Sequence, residues 1–252
     1  PPADWAGSNQ PGFLVNHSGG GPGGQGQGSV WGGGNANDPH RIYRSLAGDH
    51  EDYLTFNYSL PIFPGMSERC VAAASFKGLL IVWKYPDGVF AIDTRQPDDT
   101  QWRAEQIGWP GMAGPYDWAI VENDIIWVSP DGSWHRLSAT QETGSVRATD
   151  LSAPKLAAFT RDNIARDQLA TAQMIYYADK REVRLACHLT GTSTKNRRLV
   201  LDVGREGDIG DRWIWHDRDR NDSLFLRKKS GVLIPAFGDN AGQIWEDDRP
   251  TR

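Results

Sequence analysis

An all-β chain, built as a β-propeller of four-stranded antiparallel blades, is what the sequence predicts. Three observations carry this. The turn Pro-Asp-Gly occurs at 86–88 and again at 130–132, each time between two short strand-like runs. Looser hairpins follow around 179–181 and 229–231, so the four turn centres lie 44, 49 and 50 residues apart. A hairpin returning every ~40–50 residues is the mark of a propeller, in which each blade is one sheet. The composition agrees: 11 Trp, 28 Gly and 15 Pro in 252 residues supply large aromatics for strand packing and turn formers for many connections.

Residues 1–40 are expected to stand apart as a Gly-rich segment, with the propeller domain at 41–252. Ten of the sixteen residues from Gly19 to Gly34 are Gly, a composition that buries little and loses much entropy on ordering. It reads as a flexible linker, or as a loop pinned where Phe13–Val15 and Val30-Trp31 dock. Strands are expected at 41–44 and 53–58, after which Pro61 and Pro64 break the chain. The first clear blade is read at 69–76, 79–85, 89–93 and 101–107. The second is read at 118–121, the 124–137 hairpin and 145–150. Between 151 and 173 the spacing of Leu156, Phe159, Ile164 and Leu169 predicts one connecting helix near 155–171, with Ser152 as cap and Pro154 in its first turn. The third blade is read at 174–187, 198–203 and 212–216. The fourth begins at 223, ends near Trp245 and lacks an obvious outer strand. About five units are visible in all.

The net charge of −5 argues against a dedicated DNA binder, whose domain is normally basic. Twenty of the 27 basic residues are Arg, the side chain suited to interfaces and bidentate ion pairs. Cys70 and Cys187 fall in different units and read as small buried hydrophobes. No apolar run approaches the ~20 residues that span a bilayer, and no signal peptide is visible. The chain opens Pro-Pro-Ala-Asp without Met, as expected of a processed N-terminus or of part of a longer chain.

Chemistry-bearing motifs are few. Ser129-Pro-Asp-Gly-Ser-Trp134 is similar to the Asp-box turn of sialidase-type propellers, with tighter spacing; it reads as a hairpin turn, Pro presetting φ and Gly taking positive φ. The run Asp217–Asp222 opens like a calcium loop, but Asp222 and Lys228 stand where an EF-hand needs Gly and Glu. The six histidines make no metal-ligand spacing, and no nucleophile elbow or P-loop is present. No catalytic, cofactor-binding or metal residue is assigned. Trp83 and Trp127 hold equivalent places in the first two hairpins and are expected in the blade core. The polar loops 188–197, 204–212 and 217–222 are long for hairpin connections. They make Arg197, Arg205, Asp211, Arg218 and Arg220 the candidate subunit-interface residues.

The segment Asn37-Asp-Pro-His-Arg-Ile-Tyr-Arg-Ser45, followed by Gly48-Asp-His-Glu-Asp-Tyr53, resembles β-propeller structural proteins of tailed bacteriophage virions. These include tail nozzle, tail hub and DNA-stabilisation proteins. The order downstream is also similar: a small-residue strand, Leu79–Lys84, the Gly-rich stretch Gly108–Pro115 and the hairpin Ile125–Gly132. The resemblance implies a non-enzymatic subunit of the phage tail. It would form a homo-oligomeric ring, six-fold, around a channel that genomic DNA passes during ejection. It would contact other tail or adaptor proteins, have no membrane anchor or cofactor, and be made in the host cytoplasm. A carbohydrate-binding or carbohydrate-hydrolysing propeller is the alternative, with Trp102, Trp109, Trp118 and Trp134 as the stacking residues.

Overall fold

The computed structural model describes residues 10–18, 28–53, 58–65, 68–96, 98–139, 146–151, 154–205, 212–217, 223–239 and 241–246. The chain divides into two compact units, Pro1–Pro115 and Tyr116–Arg252.

The first unit holds two antiparallel sheets. Sheet one is β1 (Phe13–His17), β2 (Ser29–Gly33), β3 (Arg41–Arg44) and β4 (Tyr58–Pro61), paired in that order. Sheet two is β5 (Arg69–Phe76), β6 (Leu79–Tyr85), β7 (Val89–Asp93) and β8 (Ala104–Gly108). The expected hairpin is present, with Trp83 facing Val89 across the 86–88 turn. In β6 the first six residues are all buried, so its run of Leu-Leu-Ile-Val-Trp-Lys shows no alternation; both faces of this sheet are covered. Between the two sheets lies a core of Trp31, Ile42, Leu60, Leu80, Phe90 and Trp102 with their neighbours. Each such side chain contributes about 1.5–3 kcal/mol through burial.

Three expectations are corrected here. Residue 40 is not the edge of the folded region: β1 and β2 precede it, and β2 pairs with β3 beyond it. Pro61 does not break the chain but closes β4, opposite Arg41, on a sheet edge where its missing N–H costs no ladder bond. The outer strand of sheet two starts at Ala104, later than expected, because Asp98 caps a short 3-10 turn over Asp99–Gln101.

The second unit holds three sheets. Sheet three is β9 (Trp118–Val121), β10 (Asp124–Val128), β11 (Trp134–Ala139) and β12 (Val146–Asp150). After α1 (Pro154–Asn163), sheet four is β13 (Gln173–Tyr177), β14 (Glu182–Cys187), β15 (Arg197–Asp202) and β16 (Trp213–Asp217). Sheet five is β17 (Ser223–Lys229), β18 (Val232–Gly238) and β19 (Ile244–Glu246). The first strands of the three sheets are neighbours, β13 lying against both β9 and β17. Met174 N–H donates to Tyr116 O at 2.7 Å, and Leu224 N–H donates to the Gln173 side chain at 2.6 Å.

The single helix expected near 155–171 is two pieces. After Asn163 the chain turns extended: Ile164 bridges to Leu189, and Ala165 N–H donates to His188 O at 3.0 Å. Ile164 N–H still donates to Thr160 O at 3.0 Å, so the helix ends where Ala165 pairs with the segment after β14, and a 3-10 turn over Arg166–Thr171 follows. Leu156, Ile164 and Leu169 are buried, while Phe159 is half-buried.

Candidate functional site

The 37–53 segment is the joint between sheets one and two. The Asp38 carboxylate accepts from Arg41 Nε at 2.9 Å and from the Tyr43 hydroxyl at 3.1 Å. Cys70 N–H donates to Pro39 O, and Ile62 N–H to His40 O, both at 2.7 Å. Ser45 Oγ accepts from Val30 N–H at 2.9 Å. Asp49 closes the following turn by accepting from Glu51 N–H at 3.1 Å, and the Tyr53 hydroxyl donates to Val30 O at 3.2 Å. Beneath this joint sits Lys84, with no exposed surface. Its ammonium donates to Ile62 O and Phe63 O at 2.9 Å each and to His40 Nδ1 at 3.2 Å.

Buried cations recur. Arg44 stands over the Trp102 ring at 5.1 Å, Arg184 over Tyr177 at 5.0 Å and Arg198 over Phe237 at 5.4 Å. All three are nearly free of solvent contact. Part of the arginine content that pointed to interfaces is thus spent inside, where a flat, weakly hydrated guanidinium packs on aromatic faces. His17 is held between Ser75 Oγ and Thr94 Oγ1, each at 2.7 Å. Burial, then the nearby Arg44, lowers its pKa to about 4.

Six aspartates are spent on turns. Asp49, Asp93, Asp98, Asp131, Asp202 and Asp239 each accept a backbone N–H from two residues on, the Asx geometry that fixes a tight turn. Asp239 also takes Gln243 N–H at 2.9 Å and Trp245 Nε1 at 2.8 Å.

Ser129, Asp131 and His135 bring a hydroxyl, a carboxylate and an imidazole together. His135 Nε2 lies 3.2 Å from Ser129 Oγ. Ser129 Oγ donates to Asp131, and Ser133 donates to Asp131 through both its N–H and its hydroxyl at 3.0 Å. Burial pushes the Asp131 carboxyl up, but these hydrogen bonds outweigh it and hold the pKa low. Burial lowers the His135 pKa, against the pull of Asp150 and Asp131. Ser129 has no exposed surface, so no substrate atom reaches its oxygen. The constellation closes the hairpin turn.

The residues singled out in the sequence are scattered. Trp83 and Trp127 have no exposed surface. Arg197 is corrected from a loop to the first residue of β15, where it faces Cys187 and Asp217. Arg205 is exposed, three residues past the end of β15. Asp211, Arg218 and Arg220, and most of the calcium-like run, lie outside the described residues. Trp102 and Trp134 are buried, Trp118 is half-buried and Trp109 is 54 % exposed. Cys70 and Cys187 are free thiols, and burial pushes both up to about 12.

A cleft that sequence reasoning missed lies between sheets three and four and encloses about 170 Å³. Its charged lining is Glu122, Asp124, Arg136 and Arg212. Arg136 Nε stands 3.8 Å from Asp124 Oδ2. Glu122 accepts from Arg181 Nε at 2.9 Å and from the Tyr176 hydroxyl at 3.3 Å. The lining comes from residues as far apart in sequence as Val121 and Arg212, and only the shared face of Asp124, Ile126 and Arg136 was open to an alternation argument.

Among solved structures, the N-terminal domain of Nup159 aligns with 93% of this chain at 9% identity and TM-score 0.52. It is a β-propeller. The fold of this chain is a β-propeller. A candidate 6-phosphogluconolactonase from Bacteroides uniformis aligns with 87% of the chain at 10% identity, also with TM-score 0.52. The chain covers 60% of the Nup159 domain and 66% of the Bacteroides protein. No protein-family model and no curated protein sequence matches the chain. Such low identities bear on fold alone, since one propeller architecture hosts many functions.

Proposed function

We propose that this chain is a structural subunit of a bacteriophage tail, a non-catalytic component of a nozzle or hub ring around the DNA channel. The observation that carries this reading is the joint at 37–53. The phage-like segment ties two sheets together through Pro39 O, which accepts from Cys70 N–H of β5, and His40, which meets Lys84 of β6, while Asp38 and Ser45 brace sheet one. A channel wall needs stiff blocks, and a cross-sheet clamp of this kind provides stiffness. Ser129, Asp131 and His135, where catalytic side-chain types meet, are occupied in closing a turn.

In this reading the subunit repeats by cyclic symmetry, which builds a ring from one heterologous interface. Arg205 and the apolar side chains left exposed on sheet five, Val232, Leu233, Ile244 and Trp245, face a neighbouring copy. DNA passes without being gripped, because tight binding requires phosphate neutralisation by Lys and Arg and the chain carries −5. The carbohydrate alternative loses two of its four stacking residues, Trp102 and Trp134, to the interior.

The test is negative-stain imaging and native mass spectrometry of the purified particle that contains the protein. A ring of identical copies in the tail is expected. A monomer absent from any virion, or turnover of a glycan substrate at an enzyme-like rate, overturns the reading.

A further inference from the structure

We propose that the cleft between sheets three and four binds a carboxylate carried on a short aliphatic stem. The argument rests on the cleft itself and stands apart from the virion reading. Its aliphatic walls include Ile126, Leu151 and Leu201, and two guanidinium side chains, Arg136 and Arg212, line it. Among the described residues, the Nε of Arg136 is buried with no acceptor within hydrogen-bonding distance; Asp124 forms an ion pair with it at 3.8 Å. A buried donor without an acceptor is costly, and an incoming oxygen ligand removes that cost. Glu122 does not compete for the position, because Arg181 and Tyr176 hold it.

The volume and the wall select the ligand. A space of about 170 Å³ corresponds to a handful of waters at roughly 30 Å³ each, too little for a sugar ring with its substituents or for a nucleotide. It accommodates a carboxylate and a few methylenes. Guanidinium groups recognise planar carboxylates through paired N–H donors, while the aliphatic wall takes the stem. A phosphate dianion would bring two charges beside Asp124 with no stem for the wall to cover. The carboxylate can come from a free short-chain acid or from a Glu side chain of a partner protein.

The test is titration of the full chain with glutarate, followed by NMR, at constant ionic strength, with inorganic phosphate as the control and an oligoglutamate peptide as the second arm. Saturable glutarate binding in the millimolar range is expected, with shifts confined to residues around Arg136 and Leu201. Arg136→Met should weaken it about tenfold or more. Val203→Phe narrows the cleft while leaving every charge in place, and should also block binding. It serves in place of Arg136→Met should that variant fail to fold. Oligoglutamate binding at least tenfold tighter than glutarate assigns the site to a partner's side chain; equal affinity assigns it to the free acid. Glutarate that fails to saturate by about 50 mM, phosphate that binds as well as glutarate, or binding unchanged in Val203→Phe overturns the proposal.

Discussion

The ammonium of Lys84 donates to Nδ1 of His40 across 3.2 Å, and to the carbonyls of Ile62 and Phe63 at 2.9 Å each. One side chain on β6 therefore holds the end of β4 and the start of β3. The contact also fixes the His40 tautomer: Nδ1 accepts, so the neutral ring carries its proton on Nε2. Burial lowers the pKa of both groups, and Lys84 lowers that of His40 further. In Lys84→Met the carbonyls of Ile62 and Phe63 lose this donor, and Ile62 remains fully buried. The expected loss is about 2–4 kcal/mol. Urea unfolding measures it, and a midpoint equal to that of the wild type would refute the clamp.

His17 makes a prediction about acid. Its pKa is about 4 in the folded chain against 6.5 when unfolded. Above pH 6.5 both states are neutral and its contribution is fully present. As pH falls through 6.5 towards 4, the unfolded chain takes up the proton first and folding stability is lost. At pH 5 the loss amounts to about 2 kcal/mol. His17→Gln keeps hydrogen-bonding groups between Ser75 and Thr94 but does not titrate. The gap in unfolding free energy between pH 7 and pH 5 should shrink by about that amount in the variant. His40 and His135, also lowered, titrate with the same sign in both proteins, so the comparison isolates His17. An unchanged gap would count against its buried neutral state.

What the sequence made legible was local. The hairpins at 79–93 and 124–137 could be read because their turns carry Pro-Asp-Gly and their flanks are runs of Ile, Val and Trp. β2 could not, because Gly32 and Gly33 read as linker. Its glycines are there for closeness: a Cβ on Gly33 would stand 2.9 Å from side-chain carbons of both Ile42 and Phe13, and one on Gly34 would stand 2.3 Å from Cys70 O. Composition registers the entropy of glycine, while the packing that offsets it depends on residues from other strands. The break after Asn163 was hidden for the same reason, since the bond that ends the helix goes to His188. The cleft around Arg136 is further still from the sequence, being the gap between two separate sheets. Nothing in the spacing of Arg136 and Arg212 announces it.

Gly111 provides a test of such close approach. It lies in the Gly-rich stretch after β8, where its N–H donates to Pro86 O at 3.1 Å and Met112 N–H donates to Lys84 O at 3.1 Å. A Cβ at this position would fall 1.8 Å from Lys84 O and 2.8 Å from Pro86 O, both backbone atoms. Gly111→Ala must therefore displace the stretch from the Pro86 turn and break both bonds, at a cost of about 3 kcal/mol or more. Gly191→Ala is the control. A Cβ there meets nothing within 4 Å, and only its φ of +81° resists the change, at about 1 kcal/mol. Thermal unfolding of the two variants should rank them clearly, and equal melting temperatures would contradict the crowding at Gly111.

The hydroxyl of Ser129 separates a turn from a nucleophile. It donates to Asp131 and lies 3.2 Å from His135 Nε2, a pattern that also describes an activated serine. Two features argue for the turn. Ser129 is fully enclosed, and the Asp131 carboxylate that would orient a base is instead gathering the N–H and hydroxyl of Ser133. Ser129→Ala should therefore lower stability by about 1–2 kcal/mol, leaving Asp131 and His135 short of a partner. Its reactivity towards a fluorophosphonate probe should be no different from that of the wild type, because neither protein is labelled at this position. Peptide mapping after probe treatment decides the matter. Covalent label on Ser129 in the folded wild-type chain would mean that the enclosure opens to solvent, and would make the serine chemically available after all.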